Sequence, residues 1–168
     1  QTMQRTQDAR HIVYAGLIGA AYAVTTLTLA PVSFGPVQFR LAGLLVPLAL
    51  VHPAYALGLA VGLALGNLAS PFGAWDYFAM PVALYLACRV GYMGRRWPWL
   101  ALPLMAAWSA VAIAYFPLHL AGGIPFWPTV GLIFVSLIVL YVAGYLLLRR
   151  TPLWTSPAPG RRWTDDNQ

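Results

Sequence analysis

Six long apolar runs, separated by short polar or proline-bearing connections, account for most of the chain. They cover about residues 11–30, 37–51, 54–69, 75–92, 98–120 and 126–148. A helix of roughly 20 apolar residues crosses the ~30 Å hydrocarbon core of a bilayer, and the longer runs reach that length. The pattern predicts an all-α integral membrane protein with six transmembrane helices in one domain, residues 11–150.

The second and third runs are short for a full span, and the second follows a polar, proline-bearing connection from helix 1. Pro31 and Pro36 bracket residues that cannot continue a helix. Irregular backbone survives at membrane depth only where protein buries it or it lines a wet cavity. We therefore expect the connection between helices 1 and 2 to dip into the membrane.

The two ends of the chain differ from its middle. Residues 1–10 are polar and form a predicted cytoplasmic arm, and residues 151–168 are rich in Pro, Arg and Asp. That composition is typical of a disordered tail, which we also place in the cytoplasm.

Composition supports lipid as the solvent of this protein. Residues are 60% hydrophobic and only 8% charged, against roughly 25% charged in soluble domains. The net charge of +6 is the balance of ten arginines and four aspartates, because the chain has no lysine and no glutamate. With both termini inside, nine of the ten arginines fall on the cytoplasmic side, as the positive-inside rule predicts. We therefore expect a multi-pass protein of the cell membrane, in contact with membrane lipid, and no nucleic-acid partner.

Several kinds of chemistry are not supported by the sequence. Without lysine the chain cannot form a Walker A phosphate loop, so any ATP hydrolysis would belong to another subunit. The three histidines are scattered and Cys88 is the single cysteine, which gives no metal-ligand spacing. We predict no catalytic residues, no metal and no cofactor.

Arg40 and Asp76 are the arginine and the carboxylate that cannot be assigned to a cytoplasmic edge. Ionisable groups at membrane depth are costly and indicate a functional site by default, although a purely structural ion pair is the alternative. The polar and aromatic residues near them or at the same predicted depth are Gln38, Phe39, Asn67, Phe72, Trp75, Trp108, Phe126 and Trp127.

This set is typical of a pocket for a flat polar heterocycle. A carboxylate can accept two parallel hydrogen bonds from a guanine-like edge, and aromatic rings can stack on the base. We predict Asp76 and Asn67 as hydrogen-bonding anchors, with Gln38 and Arg40 shaping a loop over the ligand. The stacking candidates are Phe72, Trp75 and Trp127.

Helix 1 carries a stripe of small residues, with Ala15, Gly19 and Ala23 at four-residue spacing. Small residues allow another helix to approach closely in lipid. That helix can belong to this bundle or to a partner subunit, and the spacing alone does not decide between them.

The chain resembles the QueT family, substrate-binding (S) components of energy-coupling-factor (ECF) transporters associated with uptake of queuosine precursors. The resemblance covers most of residues 11–150 and is most specific from Pro31 to Arg40. The other matching stretches are Ala21-Tyr22-Ala23-Val24, Gly66-Asn67-Leu68, Asp76 and Pro125-Phe126-Trp127.

The resemblance implies a function and partners. The ligand would be queuosine or a 7-deazaguanine precursor, as base or nucleoside. The partners would be a transmembrane coupling subunit and two ATPase subunits, and the small face of helix 1 (Ala15, Gly19, Ala23) would be the docking surface for the coupling subunit.

Two positions depart from the family pattern. Where relatives tend to carry Glu shortly after the matched arginine, this chain has Leu41, Ala42 and Gly43, and Val135-Ser136 replaces a Gly-Glu pair. Three alternatives stay open: an S component for another micronutrient, a small membrane enzyme with Asp76 or His119 as base, and a structural membrane partner that binds no small molecule.

Overall fold

The computed structural model describes residues 2–33 and 40–155, with side chains described at 9–31 and 40–154. Every regular element in these ranges is helical, so the prediction of an all-α chain is confirmed there. The α-helices are α1 (Thr2–Thr28), α2 (Ala30–Ser33), α3 (Pro53–Gly66), α4 (Met80–Met93), α5 (Pro98–Ile113), α6 (Phe126–Leu148) and α7 (Pro152–Thr155).

Three further segments depart from α geometry, and each lies in a run predicted as helix. Leu41–Leu50 is a ten-residue 3-10 helix with Pro47 inside it. Trp75–Ala79, the first π segment, leads into α4, and Ala114–Ala121, the second π segment, continues α5. A short 3-10 turn, Asn67–Ala69, follows α3.

Proline explains where the π segments form. Pro81 and Pro117 have no N–H, so neither can donate to the carbonyl four residues earlier in a regular α-helix. The chain widens instead: the Met80 N–H donates to the Trp75 carbonyl and the Gly122 N–H to the Pro117 carbonyl, five residues back in each case. Such π segments are rare and occur frequently at functional sites.

The helices form a closed ring. α1 packs on α3, α3 on α4, α4 on α5 and α5 on α6, and the 3-10 helix closes the ring between α6 and α1. The 3-10 helix also contacts α3 and α4, which places it towards the inside. A Cβ at Gly144 would overlap the Leu44 carbonyl oxygen, so α6 lies against the 3-10 helix backbone to backbone.

The two ends of the ring carry different side chains. At one end, His11 of α1 stacks on His52 before α3 at 3.9 Å, and Trp99 of α5 contacts Tyr145 of α6 at 5.6 Å. We call it the arginine end, because Arg95, Arg96, Arg149 and Arg150 lie in the connections there. The opposite end, the loop end, holds residues 67–76 and 122–125, where Phe72 lies beside Gly122.

The small residues of α1 pack inside the ring. A Cβ at Gly58 would overlap the Ala15 carbonyl oxygen, and one at Gly62 would overlap that of Gly19. Ala15, Gly19 and Ala23 are all buried. Ala15 and Gly19 therefore pack against α3 within this chain, and docking of a partner subunit on this face remains a prediction.

Three helices are long and apolar enough to cross a membrane: Ala9–Thr28, Pro98–Ala121 and Phe126–Leu148. Leu41–Leu50 and Pro53–Ala69 are apolar but shorter. α6 has the predicted bounds, whereas α1 begins at Thr2, so the polar arm is helical in its backbone. The count of six spans and the side on which the termini lie remain predictions.

Candidate functional site

Arg40, Asn67, Ser70 and Asp76 come together at the loop end, and we call these four residues the polar cluster. The 3-10 helix presents Arg40 at its N-cap, α3 ends at Asn67, and the first π segment carries Asp76. Arg40 is 3% exposed, Asn67 3% and Asp76 0%. Three separate segments thus direct polar groups into the interior of the ring.

The hydrogen bonds of the polar cluster are centred on Asp76. One Arg40 guanidinium nitrogen lies 3.3 Å from Asp76 Oδ2, and the other donates to Asn67 Oδ1 at 3.1 Å. The Asn67 amide donates to the Asp76 backbone carbonyl at 2.6 Å, and the Ser70 hydroxyl donates to Asp76 Oδ2. The Phe72 N–H donates to Ser70 Oγ at 3.2 Å, which orients that hydroxyl.

One carboxylate oxygen is not used in these contacts. Asp76 Oδ1 is buried and has no hydrogen-bond partner within the described parts of the chain. Buried polar atoms are almost always satisfied, because leaving one unpaired costs about 1–3 kcal/mol, more if it is charged. Asp76 Oδ1 therefore has an acceptor site to offer to a further donor.

A small cavity of about 30 Å³ adjoins the polar cluster at Arg40. Its other polar side chains are those of Tyr22, Ser109 and Tyr141, and the remaining lining is apolar or glycine. The Tyr141 hydroxyl donates to Ser109 Oγ at 3.3 Å, and the Tyr22 hydroxyl is within hydrogen-bonding reach of Arg40. A cavity of this size holds about two water molecules.

Tyr22, Ser109 and Tyr141 are not among the site residues predicted from sequence. Each carries a hydroxyl group within an apolar helix, and that is the signal that could have found them. Hydroxyl residues are, however, common in membrane helices, where they bond to neighbouring backbone. Thr26 does so by donating to the Tyr22 carbonyl at 2.9 Å, so the residue type alone does not mark a cavity.

An open groove of about 650 Å³ lies on the outer side of α4 and α5. Trp75 and Phe116 line it from the two π segments, with rings stacked at 5.7 Å. Trp108 lines it as well, and its indole N–H donates to the Ala83 carbonyl at 3.0 Å.

The predicted site residues therefore separate into groups. Arg40, Asn67 and Asp76 meet in the polar cluster, with Phe72 attached through Ser70. Trp75 and Trp108 line the groove. Phe126 contacts the rings of Tyr115, His119 and Trp127 at the start of α6.

Three predicted site residues remain to be placed. Trp127 is 81% exposed. Gln38 and Phe39 lie outside the described residues.

Comparison with known families identifies the chain. The model of the QueT family, described as "QueT transporter", matches residues 12–151. The chain belongs to the QueT transporter family. It is a membrane transport protein, in agreement with the resemblance found from its residues. Neither the comparison with curated proteins nor that with solved structures found a match.

Membership gives the surface and the interior of the QueT chain a common explanation. Large apolar side chains are exposed along α1, α3, α4, α5 and α6, for example Leu17, Leu57 and Val139. In lipid that exposure carries no penalty, whereas the buried polar cluster does.

Proposed function

We propose that this protein is the substrate-binding component of an ECF-type importer and that its cargo is queuosine or a 7-deazaguanine precursor. The observation that carries the proposal is the buried polar cluster, in which Asp76 Oδ1 is left without a partner. Support for the transport role comes from the QueT family match over residues 12–151. ATP hydrolysis and the energy coupling would belong to partner subunits.

The chemistry of the polar cluster suits a deazaguanine. The guanine-like edge presents an N–H and an exocyclic amine side by side, which match the two oxygens of one carboxylate. Ser70 and Arg40 already donate to Asp76 Oδ2, so the ligand would bond Oδ1 and compete for Oδ2. Asn67 and Arg40 supply the acceptor and donors for the opposite polar groups of the base.

The cavity is too small for a base in the state described. About 30 Å³ accommodates water but not a bicyclic heterocycle, so binding requires the helices around it to move apart. Breaking the Arg40–Asp76 contact would allow this, because it joins the 3-10 helix to the first π segment. Ligand binding and release of the ion pair are then coupled.

Mass spectrometry of the small molecules that co-purify with the detergent-solubilised protein tests the proposal. A 7-deazaguanine base or nucleoside supports it. Riboflavin, thiamin, biotin or another heterocycle keeps the transport role and contradicts the queuosine assignment. Where nothing co-purifies, titration with queuine, preQ1 and preQ0 follows, and the absence of binding by all three contradicts the assignment.

A further inference from the structure

The internal cavity and the outer groove share two lining residues, Ala83 of α4 and Ala112 of α5. Both side chains are largely buried, at 8% and 7% exposure. Both side chains are single methyl groups, so at these positions small residues alone border both the polar interior and the groove. We call this pair of residues the wall. No sequence pattern predicted that the cavity and the groove, on opposite sides of α4 and α5, would share lining residues.

The backbone on both sides of this wall departs from regular α-helix. The first π segment ends at Ala79, one turn before Ala83, and the second begins at Ala114, two residues after Ala112. Both helices therefore change their hydrogen-bond register next to the wall. Helices kink at π-bulges of this kind, so each of the two helices has a point of bending next to the wall.

A single side-chain hydrogen bond crosses from α5 to α4 at this level. The Trp108 indole N–H donates to the backbone carbonyl of Ala83 at 3.0 Å. Trp108 is half exposed and forms part of the groove. Its removal would loosen the link between the two helices beside the wall and leave the polar cluster untouched.

We propose that the ligand reaches the polar cluster between α4 and α5, through the wall formed by Ala83 and Ala112, after resting in the groove. The inference rests on the proposed function for the identity of the ligand, a flat heterocycle. The groove volume of about 650 Å³ lies within the usual 300–1,000 Å³ of small-molecule sites. Its stacked rings, Trp75 and Phe116, offer the flat faces that such a ligand needs.

The size of residues 83 and 112 then limits what can enter. An alanine pair admits a planar ring when the helices separate slightly, whereas a leucine at either position fills the opening with three more carbon atoms. Ala83 and Ala112 are specificity-determining residues in this account, although neither offers a polar contact to the ligand.

A thiol-accessibility experiment tests the path without any ligand. In a Cys88→Ala background, Ser109→Cys places a thiol on the cavity wall of the full-length protein in lipid nanodiscs. Methyl methanethiosulfonate, which is small and neutral, is added, and the rate of modification is followed by intact-protein mass spectrometry. Adding Ala83→Leu or Ala112→Leu is expected to slow modification at least about tenfold, while the control Ala107→Leu, on the exposed side of α5, leaves the rate unchanged.

Equal rates in all three leucine variants would overturn the proposal, as would a thiol that never reacts in the parent. If the leucine variants do not fold, Trp108→Phe decides, because it removes one donor without adding bulk. It is expected to speed modification by about two- to tenfold, which corresponds to the net free energy of one hydrogen bond. An unchanged rate would contradict the path. If the thiol results hold and no deazaguanine binds, the ligand assignment fails and the path stands.

Discussion

The guanidinium of Arg40 and the carboxylate of Asp76 form an ion pair at 3.3 Å, with both side chains at most 4% exposed. The pair joins the start of the 3-10 helix to the first π segment, two elements 36 residues apart in sequence. Burying two charges costs several kcal/mol per ion before their attraction is counted. Hydrophobic packing could join the same elements more cheaply, which agrees with the binding role proposed for the pair above.

Removing one member of the pair tests how much the ion pair contributes to the free energy of unfolding. We expect Asp76→Ala to lower the free energy of unfolding by about 3–5 kcal/mol, since it leaves the Arg40 charge buried without its counter-ion. The double variant Arg40→Met, Asp76→Ala should recover part of that loss. Unfolding in mixed micelles measures both. Losses that simply add in the double variant would contradict a direct coupling between the two side chains.

The contact of α1 with α3 gives a second prediction. Gly58→Ala places a methyl group on the Ala15 carbonyl oxygen and should cost about 1–3 kcal/mol as the helices move apart. The matched control is Gly16→Ala on the exposed side of α1, where an added Cβ has nothing within 4 Å. Thermal unfolding in detergent distinguishes them. If Gly16→Ala destabilises the protein as much as Gly58→Ala does, the loss comes from the helix backbone and the packing explanation is contradicted.

Much of the helical layout follows from the sequence. Pro53, Pro98 and Pro125 stand at helix starts, where proline fits the first turn or precedes it, and α6 has the predicted bounds. The 3-10 helix and the π segments were not predicted, because apolar periodicity indicates a buried helix without distinguishing its hydrogen-bond register. Proline at 47, 81 and 117 predicts the loss of a backbone hydrogen bond, but it does not predict whether the chain then forms a 3-10 helix or a π segment.

The site could be predicted only in part. Arg40, Asn67 and Asp76 were found because charged and amide groups are rare in apolar segments, and the structure brings them together. Which residues face them across the cavity could not be derived, because that depends on how α1, α3, α4 and α6 pack around the 3-10 helix. The small face of α1 shows the same limit, since its spacing suits an internal partner and an external one equally.

Stacking on Trp75 in the groove gives a third prediction, conditional on the proposed ligand and its path. Trp75→Ala should slow association of queuine or preQ1 by about 5- to 150-fold, the range expected for about 1–3 kcal/mol per stacked base, if stacking holds the ligand until it passes the wall. Trp75→Phe should retain most of the association rate. Trp99→Ala, a half-exposed tryptophan at the arginine end, is the control. Stopped-flow binding measures all four proteins, and an equal loss in the Trp99 variant would contradict a specific role for Trp75.

The orientation predicted from the arginines is a fourth prediction. In a Cys88→Ala background, a thiol introduced by Gln168→Cys should react with a membrane-impermeant maleimide only after the cells are opened. A thiol introduced by Ser70→Cys, at the loop end, is the opposite marker and should react more readily from outside. Labelling of the tail thiol in intact cells would contradict a cytoplasmic C-terminus and the assignment of nine arginines to the inside.

The central claim is that Asp76 binds a 7-deazaguanine, and its most direct test is the affinity of purified wild type and Asp76→Asn for queuine, preQ1 and preQ0. Asparagine keeps the shape of the side chain and removes its charge. Loss of a charged hydrogen bond, about 1.5–3 kcal/mol, predicts affinity lower by about 10- to 150-fold. The matched control Asp165→Asn, in the C-terminal tail, should bind as wild type does. Equal affinity of wild type and Asp76→Asn for a deazaguanine would contradict the account.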